Sequence, residues 1–182
     1  MLLSEVTLPL WALMEVVLQD LWKMPTAVFL FFILMASASA QVVALGASNT
    51  RGYGVNEPQS YPAQLQAMLQ ARGSSLRVTN EGVPGDTTGE MLARLAGAVP
   101  DGTKIVILQF GTNDARLNMP PATRQANIAA ILEELRKRGI RSVQVDELMD
   151  AALRDGLVQS DGIHLTAEGY RRIATQLLPS IL

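Results

Sequence analysis

Histidine occurs once among the 182 residues of the chain, at position 164. Asp161 stands three residues earlier, and Gly162 lets the loop turn back, so that the carboxylate can reach one nitrogen of the imidazole. A carboxylate on one ring nitrogen fixes the tautomer and leaves the other nitrogen to act as a base. The spacing therefore indicates general-base chemistry towards a nearby hydroxyl group.

Ser48 is the candidate hydroxyl, because it follows an apolar run at 42–45 and the small residues Gly46 and Ala47. A serine hydroxyl needs a base to attack an ester carbonyl at neutral pH, and His164 is the imidazole that the chain offers. The resulting oxyanion needs preorganised hydrogen-bond donors. The candidate donors all follow predicted strands: the backbone N–H groups of Ser48 and Gly85 and the side-chain amide of Asn113.

Each of these residues also has a simpler interpretation. Ser48 could cap a helix, and His164 could be an ordinary loop histidine. Gly82 and Gly85 could be turn glycines, and Asn113 could hold a left-handed backbone position. The combination of these residues, rather than any one of them, favours nucleophilic acyl transfer.

From residue 41 onward, short apolar runs alternate with longer amphipathic ones. The short runs predict four β-strands, at 42–45, 76–79, 104–108 and 140–145. Apolar residues at helical spacing predict helices around 61–69, 91–95, 120–138, 147–154 and 166–178. This alternation predicts a single α/β domain over 41–182, a three-layer α/β/α sandwich with a parallel sheet.

The carboxyl ends of parallel strands meet at one edge of the sheet, where such folds place their sites. Three polar, glycine-bearing loops directly follow predicted strands, at 46–49, 80–87 and 111–114, and a fourth, at 161–164, follows the last strand and a short helix. Ser48, Gly85, Asn113, Asp161 and His164 all lie in these loops. The element prediction alone therefore brings the candidate residues to one edge.

The four loops resemble, in order, the four sequence blocks of the SGNH hydrolase family, also known as GDSL esterases and lipases. They read Gly-Ala-Ser-Asn at 46–49, Gly-Asp-Thr at 85–87, Gly-Thr-Asn-Asp at 111–114 and Asp-Gly-Ile-His at 161–164. The resemblance spans essentially all of 41–182. It implies a flavodoxin-like SGNH fold, a triad of Ser48, His164 and Asp161, and oxyanion donors at Gly85 and Asn113.

Two departures from the family pattern bear on the site. Ala47 stands where the family usually has aspartate, and we expect catalysis to survive this change with a less firmly supported loop. The family sheet normally has five parallel strands, but a single strand candidate lies between the helix ending at Arg138 and Asp161. We therefore expect a sheet trimmed to about four strands and a less walled acyl pocket.

The resemblance implies hydrolysis of small carboxylic esters, with aryl or short-chain acyl groups, through an acyl-enzyme and without a cofactor or metal. A thioesterase or lysophospholipase of the same family is an alternative. A catalytically silent relative that binds lipid or carbohydrate is another. The expected partner is a small-molecule ester, and the sequence leaves the oligomeric state open.

Composition argues against several other classes. The formal net charge of −2 gives no electrostatic footprint for nucleic acid. The absence of cysteine excludes disulfides and thiolate metal sites, and one histidine excludes a multi-histidine metal centre. A nucleotide-binding module is disfavoured because the phosphate-loop pattern G-x-x-x-x-G-K-[ST] does not occur.

Residues 1–40 read as a secretory signal peptide or hydrophobic leader. An uncharged run at 24–36 follows Lys23, and Ala38-Ser39-Ala40 provides a small-residue cleavage site. We expect a periplasmic or secreted protein if the leader is cleaved. The alternative is an uncleaved helix that anchors the protein, in which case membrane contact would be made through residues 1–40.

Overall fold

The computed structural model describes residues 41–182, so the leader predicted for 1–40 and the boundary after it lie outside the described residues. Strands and helices alternate along this part of the chain. The strands are β1 Val42–Gly46, β2 Val78–Gly82, β3 Ile105–Gln109 and β4 Arg141–Gln144. The helices are α1 Ser48–Arg51, α2 Tyr61–Ala71, α3 Thr88–Ala98, α4 Asn113–Arg116, α5 Pro121–Lys137, α6 Asp146–Arg154 and α7 Ala167–Ile181.

The strands of residues 41–182 form one four-stranded sheet in the order β2-β1-β3-β4. All three pairings are parallel, with Val42 opposite Val78 and Ile105, and Ile105 opposite Arg141. The predicted α/β class and the trimmed parallel sheet are therefore confirmed. All four strands end at the same edge, which is where the candidate residues follow them.

Each face of the sheet carries its own apolar cluster because successive strand residues point to opposite sides. Val42 and Ala44 of β1 face the cluster with α2, α6 and α7, whereas Val43 and Leu45 face the cluster with α3 and α5. All five residues of β1 and all five of β3 are buried. The two central strands thus give the site edge a rigid base.

The second strand lies later in the chain than predicted. The apolar pattern placed it at 76–79, but β2 pairs Val78–Gly82 with the whole of β1. The side chain of Gln66 accepts from the Val78 N–H and donates to the Leu76 carbonyl, so this segment is held by α2 instead. The polar residues Asn80 and Glu81 are tolerated in this strand, because β2 lies at the edge of the sheet and its residues are only half-buried.

Side-chain caps fix where the helices next to the site begin. Thr87 and Glu90 form a reciprocal capping box at the start of α3. Thr166 accepts from the Gly169 N–H and caps α7 directly after the loop that carries His164. Among the helices of residues 41–182, none is long and apolar enough to cross a membrane.

Candidate active site

Ser48 is the first residue of α1, immediately beyond the end of β1. The backbone is tightly enclosed here: a Cβ at Gly46 would overlap the Thr50 hydroxyl and the Gln109 backbone. The Gln109 side-chain oxygen accepts from the Ala47 N–H at 3.0 Å and from the Thr50 hydroxyl at 3.2 Å. Gln109 is the last residue of β3, so the central strands hold the serine loop from two sides.

Ala47, which replaces the family's usual aspartate, is 2% exposed and belongs to the apolar cluster under α3 and α5. Its side chain therefore contributes packing where an aspartate would contribute polar contacts. The Gln109 amide supports the backbone of the loop instead. The side-chain support that the structure shows for this loop thus comes from β3.

His164 lies between Ser48 and Asp161. Its Nε2 is 2.9 Å from the Ser48 Oγ, and its Nδ1 is 2.6 Å from the Asp161 Oδ2. The imidazole side chain is 12% exposed. The structure therefore brings the three residues together in one hydrogen-bonded chain, although Ser48 and His164 are 116 positions apart.

Asp161 is held in its ionised form. The His164 side chain and then the backbone N–H groups of His164 and Ile163 donate to its carboxylate, and these hydrogen bonds lower the pKa of Asp161 far below its usual range. The N–H contacts to Oδ1 are 3.0 and 2.9 Å long. Asp161 thus remains a carboxylate through the physiological pH range, and it fixes both its own loop and the imidazole tautomer.

Asn49, which the sequence did not single out, ties the nucleophile helix to the histidine loop. Its Oδ1 accepts from the Leu165 N–H at 3.1 Å and from the Tyr170 hydroxyl at 2.9 Å. Its Nδ2 donates to the Ile163 carbonyl at 3.3 Å. Asn49 therefore fixes the backbone on both sides of His164 relative to its neighbour Ser48.

Tyr53 and Gln159 support the histidine from the solvent side. The Tyr53 ring stacks on the imidazole with centroids 4.4 Å apart and an interplanar angle of 32°. The Gln159 amide donates to the carbonyls of Tyr53 and Leu165, while its backbone N–H donates to the His164 carbonyl at 2.7 Å. Gly54 leaves room for this amide, because a Cβ there would overlap it.

The two candidate oxyanion donors come from neighbouring loops. Gly85 has φ +92°, a conformation that a residue with a side chain rarely adopts. Asn113 begins α4, and its Nδ2 donates one hydrogen bond to the Asp86 carbonyl at 2.8 Å, which orients the amide. Both residues line one cavity together with Ser48 and His164. The structure therefore brings all five predicted site residues to the same edge.

Asp86 and Asp114 connect separate segments of the chain through their carboxylates. The Arg94 guanidinium contacts the Asp86 carboxylate at 2.6 Å and also donates to the carbonyls of Gly46 and Glu81. The buried Asp114 carboxylate accepts from the Thr88 N–H and hydroxyl. These contacts lock the loops of Ser48, Gly85 and Asn113 against one another.

Gly82 is not a turn glycine. It is the last residue of β2, and a Cβ there would overlap the backbone of Arg51. The end of β2 can therefore approach α1 closely because the residue has no side chain.

Two cavities meet at Ser48 and Asn113. One has a volume of about 310 Å³ and includes Tyr53, Gly85, Leu117 and His164. The other has a volume of about 210 Å³ and lies against α6. Among residues 41–182, no group of three acidic or histidine side chains is arranged to hold a metal ion.

The sequence model of the GDSL-like Lipase/Acylhydrolase family matches residues 44–155, which is more than half of the chain. The chain belongs to this family. The match includes Ser48, Gly85 and Asn113, and it ends before Asp161 and His164. The relation of the last two residues to the other three is therefore seen in the geometry of the site.

Among family members, the chain is 32% identical over 119 residues to an arylesterase from Vibrio mimicus. This match covers 64% of the chain and 60% of the arylesterase, so it spans less than two thirds of that relative.

Two solved structures resemble this chain over nearly their whole length. The psychrotrophic esterase EstA from a Pseudoalteromonas species has 19% identity and a TM-score of 0.69, over 79% of this chain and 97% of EstA. At this identity, the likeness shows the fold alone. The esterase AlinE4, described as an SGNH-hydrolase family esterase, has 28% identity and a TM-score of 0.58, over 80% of this chain and 96% of AlinE4.

Proposed function

We propose that the protein is a serine esterase that hydrolyses small carboxylic esters through an acyl-enzyme. The observation that carries this proposal is the hydrogen-bonded chain from Asp161 through His164 to Ser48. Family membership supports it, and so do the candidate oxyanion donors in the same cavity. A nucleophile, a base within hydrogen-bond reach and a third group that orients the base are the features that this chemistry needs.

In the first half of the reaction, His164 Nε2 takes the proton of the Ser48 hydroxyl while Oγ attacks the ester carbonyl carbon. Asp161 stabilises the imidazolium that forms and keeps the ring oriented. The carbonyl oxygen becomes an oxyanion, which accepts hydrogen bonds from the Gly85 N–H, the Asn113 amide and the Ser48 N–H. The carbon–oxygen bond to the alcohol then breaks, and His164 returns its proton to the departing alcohol oxygen.

In the second half, water replaces the alcohol. His164 takes a proton from the water as its oxygen attacks the acyl carbon, and the same donors stabilise the second oxyanion. Collapse of this intermediate breaks the bond to Ser48 Oγ, which regains a proton from His164. The products are one alcohol and one carboxylic acid for each ester and water consumed.

Replacement of the nucleophile tests the proposal. We expect Ser48→Ala to lower kcat for 4-nitrophenyl acetate by at least about 10³-fold, because no other group can form the acyl-enzyme. The assay is spectrophotometric, on purified full-length protein, with thermal denaturation as a check of folding. Ser142→Ala is the matched control, since Ser142 is exposed on β4 and lines neither cavity at Ser48.

Labelling with a fluorophosphonate provides an independent measurement on the same proteins. The unchanged chain and the Ser142→Ala control should be labelled at Ser48, and Ser48→Ala should not. A Ser48→Ala protein that keeps most of its activity would contradict the serine mechanism.

We also propose that the protein is periplasmic or secreted. This proposal rests on the leader that the sequence predicts at 1–40.

A further inference from the structure

The two cavities at Ser48 can be assigned to the two halves of an ester by the direction of proton transfer. The departing alcohol oxygen takes its proton from His164 Nε2, so the alcohol must lie on the histidine side of Ser48. His164 and Tyr53 line the cavity of about 310 Å³. His164 does not line the cavity of about 210 Å³, whereas Ser48 and Asn113 line both. The smaller one, which we name the α6 cavity, therefore receives the acyl group.

The wall of the α6 cavity is charged. Ligand pockets are usually lined by apolar side chains with a few polar groups among them. The α6 cavity contains four charged side chains beside apolar Met149, Leu153 and Ile163. The four are Arg116, Arg124, Asp146 and Asp150.

Two of these charges are fixed in place by the backbone of the β3 loop. The Asp146 oxygens accept from the N–H groups of Phe110 and Gly111, at 3.1 and 2.8 Å. The Arg124 guanidinium donates to the Gly111 carbonyl at 3.1 Å. Neither side chain can therefore swing away without breaking contacts that hold the loop of Asn113.

Helix α6 supplies the acidic side of this wall. Asp146 and Asp150 are four residues apart and share one face of the helix, and both line the cavity. Glu147 is exposed and does not line it. Because Val145 alone separates α6 from β4, this helix stands directly at the site edge, next to the β3 loop.

A charged wall makes a long acyl chain unfavourable. Each added methylene would displace water from carboxylate and guanidinium groups without giving them a new partner. The cavity on the alcohol side shares Arg116 but, among residues 41–182, has no carboxylate in its wall, and Tyr53 and Leu117, which are 53% and 67% exposed, offer apolar surface there.

We infer that this site takes esters whose acyl group is short, of about two to four carbons, and whose apolar bulk lies in the alcohol. Asp150 of the α6 wall is the specificity-determining residue that excludes longer acyl chains. The inference rests on the proposed function and refines it. The inference concerns the ratio of kcat/KM between two substrates. This ratio does not depend on how fast either substrate is hydrolysed in absolute terms.

A chain-length series tests the inference on the full-length protein. 4-Nitrophenyl acetate, butyrate and octanoate share one leaving group, so their kcat/KM values report the acyl side alone. For the unchanged chain, we expect octanoate to be hydrolysed at least about 10-fold less efficiently than butyrate. Equal or better hydrolysis of octanoate would overturn the inference.

Two substitutions at Asp150 locate the cause. An apolar pocket gains roughly 10-fold or more from a well-placed methylene, so Asp150→Leu should raise the ratio of octanoate to acetate kcat/KM by about 10-fold. Asp150→Asn removes only the charge and should raise the ratio less. Glu147→Leu is the matched control, because Glu147 belongs to the same helix but does not line the α6 cavity, and it should leave the ratio unchanged.

The outcomes separate this inference from the proposed function. If Ser48→Ala keeps its activity, the serine mechanism fails whatever the chain-length series shows. If activity depends on Ser48 but the ratio is the same in Asp150→Leu, Asp150→Asn and the unchanged chain, the charged wall is not the determinant. Should Asp150→Leu not fold, Asp150→Asn and the profile of the unchanged chain decide the question.

Discussion

Asn49 shows how much of the site depends on a residue that does not react. Through its side chain it joins the helix of Ser48 to the residues on both sides of His164. The Tyr170 hydroxyl donates to the same amide oxygen, so the position of Asn49 is itself fixed. Asn49 is a positioning residue, because it acts on the reaction through the distance between nucleophile and base.

Replacement of Asn49 should reduce turnover more than substrate binding. We expect Asn49→Leu to lower kcat for 4-nitrophenyl acetate by about 10²-fold, since a displacement of about 1 Å at reacting groups costs that much. KM should change less than about threefold. Steady-state kinetics with thermal denaturation measure both effects.

Asn49→Asp is the conservative comparison, because it keeps the oxygen that accepts from Leu165 and Tyr170 and replaces the donor to the Ile163 carbonyl with a carboxylate oxygen. It should recover part of the lost kcat. Tyr170→Phe removes one contact to Asn49 and should fall between Asn49→Leu and the unchanged chain. A parallel rise in KM with kcat unchanged would contradict the positioning role.

Removal of the Asn113 amide should destabilise the transition state without weakening substrate binding. Loss of one oxyanion donor typically costs about 10²–10³ in kcat, so Asn113→Ala should reduce kcat by that factor and leave KM nearly unchanged. Asn127→Ala is a matched control, because its amide donates to the Thr88 hydroxyl in the neighbouring helix. The control should lose stability rather than turnover, and a similar kcat loss in both variants would argue against a donor role.

At the residue scale, the sequence indicated the groups that could react but not those that hold them. Ser48, Asp161 and His164 are recognisable because few residue types can do this chemistry. Ser48 also follows a predicted strand, and Asp161 and His164 are three positions apart. Asn49 is an ordinary polar residue whose partners lie more than 100 positions away in the chain, and Gln159 likewise contacts Tyr53 across 106 positions. No local pattern in the sequence marks such contacts.

At the scale of elements, α2 and α7 cover one face of the sheet and each buries a tyrosine. Tyr61, the first residue of α2, and Tyr170, in the first turn of α7, have no exposed surface. Burial raises the pKa of both tyrosines above the usual value, because it disfavours the phenolate. Folding therefore keeps both hydroxyl groups protonated at pH values where an unfolded chain would lose the protons.

The raised pKa values predict loss of stability in alkali. Below pH 10 the tyrosines are protonated in both states, and their contribution is fully present. As the pH rises above about 10, the unfolded state ionises and the folded state does not, so the free energy of unfolding falls by up to about 1.4 kcal/mol per pH unit for each tyrosine. Urea denaturation between pH 8 and 11 measures this slope.

Tyr61→Phe should make the alkaline slope less steep. Tyr53→Phe is the matched control, because it removes the same hydroxyl group from a side chain that is 53% exposed. An identical slope in the Tyr61→Phe protein and the unchanged chain would show that Tyr61 does not contribute.

Element types were predictable where periodicity is strong and burial is complete. The five longer helices and the strands β1 and β3 follow from the apolar pattern, with ends that shift by a few residues. The one-turn helices α1 and α4 were not predicted, because four residues are too few to show a helical period. The shift of β2 from 76–79 to Val78–Gly82 has a physical cause, because pairing with β1 overrides the weak pattern of a half-buried edge strand.

At the scale of the whole molecule, two apolar clusters share one sheet, and the central strands carry most of the burial. Val106 in β3 has no exposed surface, whereas Val143 in β4 is half-buried at the edge of the sheet. The same substitution should therefore cost very different amounts at these two positions. They form a matched pair because both are valines in adjacent parallel strands.

Val106→Ala should lower the free energy of unfolding by about 2–3 kcal/mol, from lost burial of two carbon atoms and the cavity left behind. Val143→Ala should cost less than half as much. Midpoints of urea denaturation measure both variants. Equal losses would mean that β4 is as deeply packed as β3, contrary to its edge position.

The separation of Ser48 and His164 along the chain also has a consequence for how the protein is made. The two residues are 116 positions apart, and synthesis proceeds at about 5–20 residues per second, so the base leaves the ribosome roughly 6–23 s after the nucleophile. A nascent chain can complete the ladder of β1, β2 and β3 well before this. Until α7 docks on α2 and brings the loop of His164 to Asn49, the growing polypeptide carries a serine without its base.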